Sequence, residues 1–466
     1  MKLNQYYLQC LSHASYLIGD ETTGRAVVVD PQRDVSGYVA DATGDGLTIE
    51  LVIETHFHAD FLSGHLELAK ATGAQIVYSS VAETEFAAMK VEDGERYSLG
   101  DVTLEFRHTP GHTPESMSVV VYAHAGDTAP HAVLTGDTLF IGDVGRPDLL
   151  SSVGHSQDDL AGQLYESLQT KLLTLPDSTL VYPAHGAGSA CGKALSTELS
   201  STIGAQRRTN YALRAPDRAS FVELVTEGQQ PAPGYFGYDT VLNRSEHALL
   251  DEREAPPAMD LERAARAVEQ GAVLVDGRAP QDFAAGHLAP AINVGLDGRY
   301  AEVAGSVIPP EADIVLITDP GHELEGKNRL ARIGFDRVIG YVADPYETMA
   351  EHPEQVQIAS RLTARDFEQR RRDVSHLQVV DVRNPGEHEA GLVSGAVAIP
   401  IGQLTSRLGE LQPDRPTVVY CAGGYRSSVA ASVLRRAGFA DVSDILGGYG
   451  AWSELEDDDS DDTPSA

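Results

Sequence analysis

The sequence predicts a mixed α/β protein of several domains, in which one larger layered domain precedes two copies of a small parallel α/β unit. Three observations support this prediction. The chain has 466 residues, which exceeds the size at which a single hydrophobic core keeps growing. Short β-rich runs alternate with helical patterns up to about residue 180. Beyond residue 255 the chain repeats itself once.

The N-terminal part combines strand and helix patterns in the manner of a layered α/β domain. The β-rich runs are Ser15–Ile18, Ala26–Asp30, Leu51–Glu54, Gln75–Tyr78, Val102–Arg107, Ser118–Tyr122 and Ala132–Thr135, and the helical patterns are Leu62–Thr72 and Asp158–Leu173. Proline and glycine then cluster at 229–237 and near 255–258, where the pattern changes. We therefore place a domain boundary near residue 255.

The remainder of the chain is an internal duplication. Val275–Arg278 corresponds to Val380–Arg383, and Gly286 corresponds to Gly391 at the same spacing. A register kept over such a length indicates a duplicated domain of strand, turn and helix units. The predicted domains are residues 1–254, 255–359 and 360–454, followed by an acidic tail, 455–466, that we expect to be disordered.

Charge and composition exclude several classes of partner. Asp and Glu number 69 against 35 Lys and Arg, and the resulting net charge of -34 argues against nucleic acid or an anionic membrane as a partner. The sequence has no apolar run long enough to span a bilayer and no signal-peptide layout at residue 1, so we expect a cytoplasmic protein. The three cysteines are Cys10, Cys191 and Cys421, which form no disulfide framework.

The strongest motif is Thr55–Asp60, which reads THFHAD and follows the apolar strand Leu51–Glu54. Two histidines at positions i and i+2 of a loop can reach one cation, and a nearby carboxylate adds an oxygen ligand. Further candidates occupy comparable strand ends or glycine turns later in the chain: His112, Asp137 and His185. This ordered set predicts a metal site.

The ordered set resembles the metallo-β-lactamase superfamily over about residues 1 to 245, which implies an αββα sandwich with the metal at one edge. Residues 136–140 and 145–148 resemble its persulfide dioxygenase and glyoxalase II branch. The last histidine of the superfamily's HxHxDH box is replaced here by Phe61, whose ring cannot bind a metal. The likeness to persulfide dioxygenases implies one Fe(II) per chain, held by the facial triad His56, His112 and Asp137.

Other residues receive roles from the same resemblance. His58, Asp60 and His185 would orient the ligands or move protons. Arg146 is a candidate for gripping the carboxylate or phosphate of a thiol carrier, with an ordinary salt bridge as the alternative. Cys191 either relays persulfide sulfur near the metal or, as we favour, is an inert packing residue. We interpret Cys10 as structural.

A second chemical motif follows the apolar strand 418–420. Cys421–Ser428 reads CAGGYRSS and precedes a helical run. Its glycines let backbone N–H groups turn toward the sulfur, while the helix N-terminus and Arg426 favour an exposed, reactive thiolate. Residues 361 to 453 resemble single-domain rhodaneses, which implies that Cys421 and Arg426 are catalytic. The matching loop of the first copy, 317–322, has no cysteine and resembles a pseudo-rhodanese.

The combined resemblance implies a persulfide dioxygenase-sulfurtransferase of sulfide detoxification. Its expected partners are a low-molecular-weight thiol persulfide, O2, sulfite or thiosulfate, and further copies of the chain in a homo-oligomer. Two alternatives stay open. One is a thioester hydrolase of the glyoxalase II type, and the other is a non-catalytic sulfur carrier or persulfide sensor.

Overall fold

A computed structural model of the chain describes residues 1–149, 154 and 156–461, with side chains up to residue 455. The chain forms two compact units. The first comprises Met1–Ala232 and Phe236–Leu250, and the second comprises Pro233–Tyr235 and Asp251–Ala466. Within the described residues, no helix combines the length and the apolar character needed to cross a membrane.

The first unit contains two six-stranded sheets. Strands β1–β6 form one sheet in sequential order and are Lys2–Leu8, His13–Asp20, Arg25–Val29, Thr48–Ile53, Gln75–Ser79 and Met89–Val91. Strands β7–β12 form the other in sequential order and are Arg96–Ser98, Thr103–His108, Met117–Tyr122, Ala132–Gly136, Leu180–Pro183 and Ser201–Thr202. In the first sheet β1, β2 and β3 pair antiparallel, whereas β3, β4, β5 and β6 pair in parallel. In the second sheet β10 and β11 pair in parallel, and the other neighbouring strands pair antiparallel.

Helices cover the outer faces of both sheets. They are α1 (Ser36–Gly44), α2 (His65–Thr72), α3 (Gln157–Ser167, continued by a π turn at Leu168–Leu172), α4 (Ile203–Thr209), α5 (Arg218–Thr226) and α6 (Phe236–Leu242), with a 3-10 turn at Ala212–Arg214. One apolar core lies between the sheets and contains Ile53 and Phe106. Separate cores lie under α1 and α2, with Tyr38, and under α3 and α5, with Phe221. The predicted αββα sandwich is confirmed.

The second unit is built from short strands that mostly lie in parallel sheets. They are β13 (Ala258–Met259), β14 (Val273–Asp276), β15 (His287–Leu288), β16 (Ile292–Asn293), β17 (Ile314–Ile317), β18 (Val338–Val342), β19 (Val356–Gln357), β20 (Ser360–Leu362), β21 (Gln378–Asp381), β22 (Val397–Ala398), β23 (Thr417–Tyr420) and β24 (Val442–Ile445). The helices are α7 (Leu261–Glu269), α8 (Pro280–Ala285), α9 (Tyr300–Val307), α10 (Glu323–Ala331), α11 (Pro345–Glu351), α12 (Ala364–Asp373), α13 (Tyr425–Arg436) and α14 (Gly448–Asp461). The 3-10 turns are Pro353–Gln355, Pro385–Ala390, Ile401–Gln403 and Leu408–Glu410.

The internal repeat of the sequence corresponds to a repeat of topology. The first copy forms a five-stranded sheet of order β13-β18-β17-β14-β16, and the second forms one of order β20-β24-β23-β21-β22. Every pair within these two sheets is parallel. The prediction of two small parallel-sheet α/β repeats is confirmed.

A buried ion pair recurs at the same place in both copies. Arg278 binds the carboxylate of Asp276 at 2.6 Å and the carbonyl oxygen of Gly286 at 2.9 Å. In the second copy Arg383 binds Asp381 at 2.7 Å and the carbonyl oxygen of Gly391 at 2.8 Å. The bidentate geometry fixes the turn after β14 in the first copy and after β21 in the second.

The end of the chain differs from the expectation of a disordered tail. Residues 455–461 have helical backbone as part of α14, and residues 462–466 lie outside the described residues. Trp452, in the same helix, is buried and donates its indole N–H to Glu368.

Candidate metal centre and cysteine loop

The first candidate site lies where several strands of the two sheets end. His56 follows β4, His112 follows β8 and Asp137 directly follows β10. Their ligand atoms all lie within 4.8 Å of one another. Asp137 Oδ2 lies 3.8 Å from Nε2 of His56 and 3.4 Å from Nε2 of His112. The structure therefore brings these three sequence-predicted residues together.

Hydrogen bonds on the far side of each imidazole fix its tautomer. The carbonyl oxygen of Arg146 lies 2.9 Å from Nδ1 of His112 and can only accept, so this nitrogen carries the proton. Thr55 donates its hydroxyl to Asp30 and lies 3.0 Å from Nδ1 of His56, where it accepts. Both Nε2 lone pairs consequently face Asp137, as is typical of metal-binding histidines held by outer hydrogen bonds.

The donor set fits a cation. Asp137 Oδ2 is buried and has no hydrogen-bond partner within the described part of the chain. Burial alone would raise the pKa of Asp137, but the charge and hydrogen bond of His185, together with the charge of His112, hold that pKa below its usual value. A buried, ionised oxygen facing two imidazole lone pairs repels them unless a positive ion lies between them. Two histidines and one carboxylate form the facial triad typical of non-haem Fe(II) sites.

His58 turns away from this group toward two buried carboxylates. Its Nε2 lies 3.1 Å from Asp30 Oδ1 and 3.5 Å from Glu54 Oε2. Burial disfavours the imidazolium, yet the two carboxylates overcome it and raise the pKa of His58 to about 10. Burial also raises the pKa of Glu54 to about 7. Sequence reasoning missed Asp30 and Glu54, although each follows an apolar strand that ends at this edge.

Asp30 also has an unusual backbone. Its φ is 49°, a left-handed conformation that is uncommon outside glycine. The carboxylate accepts the N–H and the hydroxyl of Thr55 at 2.7 and 2.9 Å. Strain of this kind persists where the surroundings over-determine it, often at functional sites.

His185 lies between two carboxylates. Its Nδ1 lies 2.8 Å from Asp137 Oδ1, and its Nε2 lies 2.8 Å from Asp60 Oδ2. Burial lowers the pKa of His185, but Asp137 and Asp60 more than compensate and raise it well above the usual value. The imidazolium thus supplies positive charge between two carboxylates that could otherwise share a second metal.

Phe61 fills the space beside this group. Its ring centroid lies 3.9 Å from that of His13 and 4.3 Å from that of His58, and the side chain is buried. Asn243 holds the loop by donating to the carbonyl oxygens of His58 and Phe61 at 2.8 Å. A phenyl ring therefore packs beside the candidate metal centre. It occupies the position at which two-metal members of the superfamily are expected to have a histidine donor.

A second set of potential ligands nevertheless exists. The ligand atoms of Asp60, His185 and Cys191 also lie within 4.8 Å of one another. Burial raises the pKa of the Cys191 thiol well above its usual value, so it is held as a thiol rather than a reactive thiolate. This favours the packing role over the relay role for Cys191. Cys10 is half-buried and follows β1.

Of the two roles left open for Arg146, the contacts of its side chain favour the salt bridge. The side chain is 2% exposed, and its guanidinium binds Asp148 at 2.7 and 2.6 Å. It also donates to the carbonyl oxygens of Ala190 and Gln230. Because these groups take most of its donors, Arg146 is not available to grip a substrate anion. It instead fixes the turn whose carbonyl oxygen orients His112.

A close contact at Gly145 makes this turn possible. A β-carbon at this position would lie 1.9 Å from the carbonyl oxygen of Asp137 and 3.0 Å from Nδ1 of His112. Real β-carbons essentially never approach a backbone atom so closely. The glycine therefore lets the two ligand-bearing segments lie against each other.

The second candidate site is the cysteine loop between β23 and α13. The N–H of Gly424 donates to Sγ of Cys421 at 3.1 Å, and Ser427 Oγ lies 3.6 Å from the sulfur. Gly424 has a φ of 99°, which lets the loop curl around the sulfur. Cys421 is only 2% exposed, which differs from the exposed thiolate expected from the sequence.

Arg426 makes a bidentate ion pair with Glu387, with both distances 2.7 Å. Its guanidinium is thus shared between the cysteine loop and the Pro385–Ala390 turn rather than directed at the sulfur alone. Burial would raise the pKa of Glu387, but the ion pair with Arg426 outweighs burial and holds that pKa below its usual value. An incoming anion would compete with Glu387 for this cation.

Tyr425 ties the cysteine loop to the first repeat. Its hydroxyl donates to the carbonyl oxygen of Gly295 at 2.7 Å. A β-carbon at Gly298 would lie 2.3 Å from the tyrosine ring. Asn293, on β16, accepts from Ser428 at 2.9 Å through its side chain. The repeat that lacks a cysteine therefore packs directly on the helix and loop that carry Cys421.

Comparison with known proteins agrees with this geometry. Residues 8–185 match the metallo-beta-lactamase superfamily, and residues 363–455 match the rhodanese-like domain. A solved structure of a metallo-beta-lactamase from Staphylococcus aureus is 32% identical with a TM-score of 0.66, over 73% of this chain and 98% of that one. The chain belongs to the metallo-beta-lactamase superfamily. It couples that superfamily's domain to a C-terminal rhodanese-like domain, as expected from the two motifs.

Two curated relatives illustrate the activities found in this superfamily. The mitochondrial persulfide dioxygenase of Homo sapiens is 34% identical over 173 residues, which cover 37% of this chain and 63% of that protein. The cytoplasmic hydroxyacylglutathione hydrolase of Arabidopsis thaliana is 34% identical over 183 residues, covering 39% of this chain and 66% of that protein. The chain thus spans just under two thirds of the length of each relative.

We predict that Gly145→Ala removes the bound metal. The added methyl group displaces Asp137 or His112, and disturbing groups that orient metal ligands typically weakens binding by about 10–100-fold. Metal content by mass spectrometry, with circular dichroism to verify folding, measures this effect. Gly37→Ala, where a β-carbon meets no atom within 4 Å, is the control. A folded Gly145→Ala protein with the parent's metal content would contradict the argument.

We also predict that Gly298→Ala changes the reactivity of Cys421. The methyl group forces the Tyr425 ring to move, and overpacking of this kind costs about 1–3 kcal/mol. We expect a shifted pH profile for iodoacetamide alkylation of Cys421, although Gly298 lies in the other repeat. Gly409→Ala, in open space within the cysteine-bearing repeat, should leave the profile unchanged. Identical profiles for both variants would show that the contact does not position the loop.

Proposed function

We propose that the chain is a persulfide dioxygenase joined to a thiosulfate sulfurtransferase. The observation that carries this proposal is the group of His56, His112 and Asp137, whose free donor atoms converge while His185 supplies charge beside them. A facial triad favours a single iron over a pair of hydrolytic metals. The cysteine loop in the same chain favours sulfur chemistry.

Iron bound by three protein ligands would supply open coordination positions at which a persulfide sulfur and O2 meet. The chain's own residues provide the rest. Thr55 and the carbonyl oxygen of Arg146 hold the two imidazoles in orientation. His185 can donate protons toward Asp60 or Asp137, and Phe61 excludes water from one side.

The proposed first reaction is R–S–SH + O2 + H2O → R–SH + SO3²⁻ + 2 H⁺. The terminal sulfur is oxidised by four electrons and O2 is reduced, while the S–S bond breaks and the thiol leaves. His58, held between Asp30 and Glu54, and His185 are the buried groups able to accept or pass on the released protons. The thiol carrier is a low-molecular-weight thiol.

The proposed second reaction takes place at Cys421. A persulfide transfers its outer sulfur to the Cys421 thiolate, releasing R–SH and leaving Cys–S–S⁻. Sulfite then attacks that outer sulfur and leaves as thiosulfate, which regenerates the thiolate. The N–H of Gly424 stabilises the charged sulfur, and Arg426 attracts the sulfite dianion.

A thioester hydrolase is the second candidate function. The observation that favours it is the additional group of Asp60, His185 and Cys191, which could hold a second metal if His185 lost its proton. Phe61 and the cysteine loop count against this candidate. A non-catalytic sulfur carrier is disfavoured because the three donors of the metal centre converge. We further propose a cytoplasmic homo-oligomer.

We predict that the two activities can be separated by mutation. His112→Ala should lose iron and at least about 100-fold of oxygen uptake with glutathione persulfide, because a metal ligand is removed. It should still transfer sulfur from thiosulfate to cyanide. Cys421→Ser should retain iron and oxygen uptake but release sulfite instead of thiosulfate. Loss of oxygen uptake in Cys421→Ser as complete as in His112→Ala would replace independent sites with an obligatory relay.

Metal stoichiometry discriminates the two candidate functions. We predict about one iron per chain in anaerobically purified protein, and a higher occupancy of a second metal in Phe61→His, because a nitrogen donor returns. Iron and zinc are quantified by mass spectrometry. Phe61→Leu, which changes the ring without adding a donor, is the matched control. Two tightly bound zinc ions in the parent protein, with thioester hydrolysis and no oxygen uptake, would overturn the dioxygenase proposal.

A further inference from the structure

A small cavity of about 120 Å³ lies where the two repeats of the second unit meet. Arg435, Arg436 and Ser432 line it from α13 of the second repeat, whereas His287 and Pro290 line it from the first. This volume equals that of about four water molecules in the liquid. It is too small for a nucleotide or a peptide.

The two arginines of this cavity differ from four other arginines of the unit that are buried or half-buried. Arg278, Arg361, Arg383 and Arg426 each form an ion pair with a carboxylate at 2.6–2.9 Å. Among the described residues, no carboxylate lies within ion-pair distance of Arg435 or Arg436. In a chain with a net charge of -34, two adjacent arginines without a carboxylate are unexpected.

The donors of both arginines are mostly uncommitted. Arg435 donates once, to the carbonyl oxygen of Val442 at 3.0 Å, and Arg436 donates once, to that of Pro290 at 3.3 Å. A guanidinium carries five N–H donors, so most of them remain available at the cavity. Burial lowers the pKa of both groups; the charge of Asp444 opposes this at Arg435 without overcoming it, and no charge opposes it at Arg436.

The position at the end of α13 does not account for this arrangement. Cations near a helix C-terminus offset a partial charge of about half an electron. Two guanidiniums exceed that charge, and they line a cavity rather than extend into solvent. His287 has its Nδ1 proton directed to the carbonyl oxygen of Phe283 at 2.9 Å, and its ring stacks on Phe283. It therefore forms a wall and adds no negative charge.

We propose that this cavity binds a small tetrahedral oxyanion with two negative charges, between Arg435 and Arg436. The planar forks of two arginines match the oxygens of such an anion. Sulfate-like sulfur oxyanions, including thiosulfate, and inorganic phosphate share this chemistry. The site is separate from the metal centre and from Cys421, and it does not depend on the proposed function.

Arginine footprinting tests the proposal at the residues themselves. The full chain carrying Cys421→Ser, which prevents sulfur transfer, is treated with phenylglyoxal, and modification of each arginine is quantified by mass spectrometry. We expect millimolar thiosulfate or phosphate to slow modification of Arg435 and Arg436 about fivefold or more. Chloride at matched ionic strength should not do so. Arg372, which is exposed and has no ion pair among the described residues, is the internal control.

A binding measurement with variants completes the test. The double variant Arg435→Gln/Arg436→Gln should bind the protecting anion at least about tenfold more weakly by calorimetry, and Arg372→Gln should bind like the parent. Protection by thiosulfate alone identifies a sulfur oxyanion site, and equal protection by phosphate identifies a general oxyanion site. Equal protection by chloride, or protection of Arg372 to the same degree, would overturn the proposal. The footprinting remains decisive if the double variant does not fold.

Discussion

The balance of buried charge at one edge of the first unit constrains the rest of the structure. Parallel strands deliver acidic residues to that edge, and the carboxylates there are at most 5% exposed: Asp30, Glu54, Asp60 and Asp137. Unpaired buried charge is strongly unfavourable. The imidazoliums of His58 and His185 offset part of this charge, and a cation held by Asp137, His56 and His112 would offset more of it. Burial, together with the nearby charge of Asp30, raises the pKa of Glu54 to about 7.

The positive charge of His185 disfavours a second cation beside Asp60 and Asp137. In a two-metal site, Asp60 and Asp137 would both bind the second cation. Here His185 lies 2.8 Å from each of them and supplies the charge instead. Phe61 packs against this arrangement and adds no donor. The sulfur of Cys191 lies nearby, but burial raises the pKa of its thiol and keeps it protonated. It therefore does not bind a cation unless the group of Asp60, His185 and Cys191 loses its protons.

Much of the fold and of the metal centre could be predicted from the sequence, because both depend on local patterns. Apolar strands followed by histidine or aspartate place His56, His112 and Asp137 at one sheet edge. The Gly145→Ala variant tests the close packing of the segments that carry His112 and Asp137. A salt bridge was one of the two roles considered for Arg146, but its bonds to the carbonyl oxygens of Ala190 and Gln230 could not be predicted, because these residues are distant in sequence. The burial of Cys421 was missed for the same reason, since it depends on tertiary packing around the loop.

The first repeat supplies a contact surface on which α13 and Tyr425 of the second repeat pack. Its Asp276–Arg278 pair holds the turn after β14, with the same bonds as in the cysteine-bearing copy. The turn leads to Asn293, Gly295 and Gly298, which contact α13 and Tyr425. A side chain at Gly298 would collide with the tyrosine, so this surface is shaped for the neighbouring loop rather than for substrate. The repeat without a cysteine thus contributes contacts that position the loop carrying Cys421.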